Sequence, residues 1–71
     1  MTQRPQDPGL HAELGEMLLQ TGQRDSAEYW LLSALRIDPK LREAHAALAR
    51  LYDEQGRAGE ADQHRLAAAA A

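Results

Sequence analysis

Residues 11–18 read HAELGEML and residues 45–52 read HAALARLY. The second stretch follows the first at an offset of 34 residues (45 − 11 = 34), and the correspondence runs outward on both sides. Pro5 maps to Pro39, Gly22 to Gly56, Ala27 to Ala61, Leu32 to Leu66 and Ala34 to Ala68. Self-similarity at a fixed period marks a repeated supersecondary unit. The unit is helical by composition. Val is absent, Ile37 is the only Ile, Thr is confined to Thr2 and Thr21, and Ala, Leu, Glu, Gln and Arg dominate, so the β-branched supply that strands need is missing. Pro5 and Pro8 open the chain, Gly22 interrupts it, Asp38-Pro39 breaks it and Gly56 with Gly59 interrupts it again. These breaks predict an all-α chain of four helices near Pro8–Thr21, Arg24–Ile37, Leu41–Gln55 and Gly59–Ala70.

The two glycine-containing links are short enough to make antiparallel neighbours, giving two helical hairpins in series. Ala27 and Ala34 lie seven apart on one face of the second helix, where a small side chain lets the partner helix approach closely. Leu14, Leu18 and Leu31 are expected to add apolar mass to that seam. Gly22 and Gly56 sit where a helix end calls for a left-handed residue, and Asp38-Pro39 stops the first hairpin and redirects the chain.

With 71 residues, 44% of them hydrophobic, no Cys and a net charge of −3, the chain makes one small domain. A domain of this size buries only roughly 60% of its unfolded surface, so without disulfides it relies on helix packing or self-association. The weakly acidic balance carries no basic footprint for nucleic acid or anionic lipid, and neither is expected as a partner. The uncharged apolar run Tyr29 to Ala34 is far short of the ~20 residues that cross a bilayer. The start of the chain has no secretory apolar core, so a cytoplasmic location is the default expectation.

The residues now resemble a family. His11-x2-Leu14-Gly15-x2-Leu18, Ala27-x3-Leu31, Ala34 and Pro39 are similar to one full copy of the tetratricopeptide repeat over residues 8–41, after a lead-in over 1–7. Residues 42–71 resemble a second, C-terminally incomplete copy, with His45-x2-Leu48-Ala49-x2-Tyr52, Ala61 and Ala68. There Arg65 stands where the pattern has a large apolar residue. The resemblance implies a short right-handed α-solenoid that binds protein and performs no catalysis. It also implies a concave groove lined by Gly9, Ala12, Glu13, Glu16, Leu19 and Gln20 from the first repeat and Glu43, Ala46, Ala47, Arg50, Asp53 and Glu54 from the second. Five acids then face one Arg, which favours a basic or neutral peptide. The family's clamp for a peptide carboxylate is built from Lys and Asn. The equivalent positions here carry Ala12, Glu16 and Ala47, with nothing to neutralise a carboxylate.

Residues that carry chemistry elsewhere read as structural here. His11 and His45 are repeat-equivalent and expected on the order of 10 Å apart, too far to share a metal ion. Each is expected at a half-buried seam. The pairs Glu13/Glu16 and Asp53/Glu54 fall on open helix surface with no nucleophile or oxyanion donor beside them. No phosphate loop or nucleophile elbow is present, and no cofactor or metal is expected.

The second helix departs from a simple surface helix. Eight of the eleven residues from Ala27 to Ile37 are apolar and ring the helix. The seam takes Ala27, Leu31 and Ala34, and the second repeat is expected to take Trp30 with Leu35 or Ile37. Tyr29 and Leu32 then remain on an outer face beside Ser33 and Arg36. Tyr29, Trp30, Leu32 and Arg36 are the expected interface to a protein partner, either another subunit or a second copy in a homo-oligomer. A monomeric, peptide-binding adaptor is the competing expectation. The closing run Leu66 to Ala71 has high helix propensity and almost no volume to bury, so it is expected to cap the stack poorly.

Overall fold

Asp7 and Pro8 start the first helix. A proline at the first helical position gives up no hydrogen bond the helix needs, and the Asp7 carboxylate accepts the Gly9 N–H at 2.9 Å. The fold is that of a computed structural model, which describes residues 7–70. The remainder of the expected lead-in over 1–7, and Ala71, lie outside the described residues. The elements are α1 (Pro8–Gln20), α2 (Arg24–Ile37), α3 (Arg42–Glu54) and α4 (Ala58–Ala70). All four match the expected helices to within a residue at each end, and no strand occurs among the described residues.

The two hairpin links are copies of each other. Gly22 and Gly56 hold φ of 82° and 75°, the left-handed region open to glycine. Behind them, Gln23 N–H reaches Leu18 C=O at 2.9 Å and Arg57 N–H reaches Tyr52 C=O at 2.8 Å, closing the last turn of α1 and of α3 in the same way. Between the hairpins, Asp38 is extended ahead of Pro39, and its carboxylate accepts the Lys40 N–H at 3.1 Å.

α1 packs on α2 and α3 packs on α4; α3 also packs on α2 and, over a smaller area, on α1. α4 packs on α3 alone. Small residues allow the close approaches. A Cβ placed on Gly15 would lie 2.6 Å from Cγ of Leu31, so α1 and α2 meet at a distance only glycine permits there. The core is Leu31, Leu48 and Leu51 set among Ala12, Ala34, Ala44, Ala47, Tyr52 and Ala61, with Leu19, Leu35 and Leu41 packed against its edge.

Three seam assignments are corrected. Leu14 is not in the seam: it is 36% exposed, because Gly15 and not its neighbour faces α2. Trp30 does not stack on the second hairpin. Its ring meets His11 of α1 edge-on at 5.2 Å, so it closes the first hairpin. Ser33 is not on the outer face; it is buried, with Oγ 3.2 Å from Nδ1 of His11.

Candidate functional site

The face shared by α1 and α3 collects most of the expected groove residues. A depression of about 250 Å³ is lined by Gly9, Ala12, Glu13, Glu16, Leu41 and Glu43. Glu16 and Glu43 also border a wider one of about 510 Å³ that continues over Ala46, Ala47 and Arg50. Arg50 leads on to a third, with Leu19, Gln20 and Glu54. Ala12 and Ala47 form the floor and are 2% and 1% exposed, so they shape the groove without presenting surface to a ligand.

The charge of this face differs from five acids against one Arg. Asp53 accepts from Arg65 of α4 at 2.9 Å, and Glu54 accepts from Arg24 of α2 at 3.2 Å. Both cations come from neighbouring helices, which the spacing within α3 does not reveal. The negative charge is thereby concentrated at Glu13, Glu16 and Glu43, which form no ion pair among the described residues. All three border the depression of about 250 Å³, together with the apolar Leu41, while Arg42, Arg50 and Arg65 border the wider one beside Glu16 and Glu43.

On the outer face, Tyr29 is 60% exposed, Leu32 is exposed beside it and Arg36 is exposed one turn on. Trp30 is half-buried under Tyr29, their rings edge-on at 5.3 Å, and thus supports the patch from beneath. Leu66, the repeat-equivalent of Leu32, is also exposed. A second apolar surface was missed from the sequence. Leu10, Leu14 and Met17 are all exposed on α1, and their spacing of four and three puts them in one stripe. That spacing was the available signal, overlooked because Leu14 was assigned to the seam.

The opposite end of the molecule is polar. Arg65 bridges Asp53 at 2.9 Å and Asp62 at 2.6 Å, so the residue that breaks the repeat pattern closes an ion-pair cluster at the α3–α4 end. α4 buries only Ala61 and leaves Leu66 exposed, and its edge carries the exposed Arg65 ion pairs. Arg57 binds Glu60 through two contacts of 2.7 Å and lies 4.3 Å above the Tyr52 ring. His45, expected at a seam, does not stand alone: its Nδ1 lies 2.9 Å from Nδ1 of His64. This contact was legible, since His45 and His64 are the repeat-equivalents of His11 and Trp30, residues on the two helices of one hairpin. Among the described residues no group of three or more His, Cys, Asp or Glu is arranged to hold a metal ion, and no helix is long and apolar enough to cross a membrane.

No protein family, curated protein or solved structure matches the chain in sequence or fold comparison.

Proposed function

We propose that the chain is a tetratricopeptide-like module of two stacked hairpins that acts without catalysis, as a protein–protein interaction surface that self-associates or docks into a larger assembly. The 34-residue offset, the two identical glycine links and the packing of α3 on both helices of the first hairpin support the stacked, short right-handed solenoid. The observation that carries the interaction role is the exposure of large apolar side chains. Tyr29 and Leu32 form a patch on α2, and Leu10, Leu14 and Met17 form a stripe on α1, in a chain with little core to spare. The test is sedimentation equilibrium over a hundredfold concentration range. The wild-type chain should associate, and Leu32→Glu or Met17→Glu should lower the association state with helical content unchanged. A monomer at every concentration would remove this reading.

Groove binding is the second reading, favoured by three carboxylates that have no ion pair among the described residues, around a depression of about 250 Å³. Glu13, Glu16 and Glu43 attract a Lys- or Arg-bearing peptide over an acidic one, and the attraction weakens with salt because exposed charges are screened beyond ~10 Å at 0.1 M. Titration of Lys-rich and Glu-rich peptides side by side checks this. The Lys-rich peptide should bind more tightly and lose affinity as salt rises; equal affinities, or preference for the acidic peptide, count against the groove.

A further inference from the structure

The two imidazoles between α3 and α4 fix each other's protonation. Nε2 of His45 lies 2.8 Å from the Pro39 carbonyl oxygen, which can only accept, so Nε2 of His45 carries a hydrogen and donates it. When neutral, His45 then presents a bare Nδ1, and the 2.9 Å contact is made by Nδ1–H of His64 donating to it. The ring centres are 5.2 Å apart, the separation found when both Nδ1 atoms lie on the line between them. The lone pairs thus point head-on, which suits one shared hydrogen and does not suit a metal ion, whose ligands converge at an angle.

This pair has an unequal capacity for protons. A first added proton goes to Nε2 of His64 and leaves both hydrogen bonds in place. A second must go to Nδ1 of His45, which sets two N–H donors and two positive charges against each other at 2.9 Å. α4 packs on α3 alone, nearly as extensively as α1 on α2, but Ala61 is its only fully buried residue among those described, Leu66 is exposed, and its ion pairs, including Arg65–Asp53 to α3, are solvent-exposed ones of small value. We propose that the His45–His64 pair is a proton-operated latch, holding α4 on α3 while the two rings share at most one extra proton and releasing α4 when a second arrives.

Among the charged groups facing the pair, Glu60, one turn before His64 on α4, favours a proton on His64, but its carboxylate is also held by Arg57 and does not outweigh burial and the neighbouring His45. Lys40, from the link before α3, borders the same depression as His45 and adds positive charge. Tyr52 of α3, packed on His64 at 5.5 Å, is neutral and bonded to Glu28 of α2. Burial, and then the neighbouring His45, lower the pKa of His64 below that of a free imidazole. The folded hairpin therefore binds fewer protons than the unfolded one, and its stability falls as pH drops below about 6.5. The first hairpin has Trp30 at the position equivalent to His64, so it has no counterpart of this latch. The inference does not rest on the interaction reading above.

Two measurements on the full chain test it. In the wild type, the His64 imidazole resonance should titrate below a free imidazole. Amide hydrogen exchange in Ala58–Ala70, corrected for the intrinsic pH dependence of exchange, should show opening of α4 that rises by up to tenfold per pH unit below about 6.5, with α1 and α2 much less affected. His64→Trp, which copies the first hairpin, should flatten that response. Titration of His64 as a free imidazole, α4 opening that ignores pH, or an unchanged pH response in His64→Trp would each overturn the latch. Should His64→Trp not fold, the wild-type titration decides alone.

Discussion

Tyr52 is where three helices meet. Its hydroxyl donates to Glu28 of α2 at 2.8 Å, its ring packs on His64 of α4, and it stands on α3 with only 4% of its surface exposed. Burial, reinforced by the Glu28 carboxylate, pushes its pKa from 10.0 to about 12. A raised folded-state pKa means that the bond's contribution is fully present below pH 10 and is lost as pH climbs through about 12, because the unfolded chain ionises first. Alkaline unfolding of the wild type should therefore include a loss of about 2–3 kcal/mol over that window. Tyr52→Phe should remove this component and cost about 1–2 kcal/mol at neutral pH. Unfolding curves in denaturant at several alkaline pH values check both. The sequence marked Tyr52 as a motif residue of α3, but its partner is 24 residues away in the other hairpin. Contacts across hairpins depend on how the pairs cross, which no local pattern records.

The two hairpins solve the same packing problem with different side chains. In the first, Gly15 admits Leu31, which is fully buried. In the second, the equivalent positions are Ala49 and Arg65; the alanine keeps its Cβ because the arginine extends away to Asp53 and Asp62. Gly15→Ala should then destabilise by about 1–3 kcal/mol, even though alanine is the better helix former by about 1 kcal/mol, because Leu31 must move to admit the new methyl. Ala49→Gly should cost about 1–2 kcal/mol through helix propensity and the loss of a buried methyl. Thermal melts of the two variants distinguish crowding from propensity, and a Gly15→Ala chain that melts above wild type would contradict the close approach. At this scale the sequence was most legible. Helix ends are set by local chemistry at Asp7-Pro8, Gly22, Asp38-Pro39 and Gly56, so they could be read directly. Which side of each helix faces its neighbour was less legible. Leu14 and Ser33 were misplaced because a rotation of a few tens of degrees about the helix axis exchanges seam for surface.

The whole molecule is two helical hairpins, and in the proposed solenoid that is fewer than repeat stacks need for comfortable stability. Conformational entropy offsets most of what so small a core contributes, and covering Tyr29 or Leu32 against another chain adds about 1.5–3 kcal/mol per large apolar side chain. Folding linked to association makes the melting temperature rise with protein concentration. Scanning calorimetry across a hundredfold range should show that rise in the wild type and its loss in Leu32→Glu. A concentration-independent melting temperature would mean that the exposed side chains serve no partner of the chain's own kind. The groove was legible in outline from the spacing on α1 and α3. Its charge was not, because Arg24 and Arg65 reach Glu54 and Asp53 from helices that the spacing treats separately.

The two hairpins present unlike surfaces: α1 shows the bare stripe of Leu10, Leu14 and Met17, while Arg65 of α4 is held in ion pairs with Asp53 and Asp62. Head-to-tail contact would press an oily strip onto a satisfied charge cluster and strip water from it with no compensating partner. Filament growth by that contact is thereby disfavoured, whereas pairing of the stripe with its own copy on a two-fold axis would close in a single step. If it is the stripe that associates, scattering mass should level off at twice that of the chain as concentration rises, and Met17→Glu should prevent it.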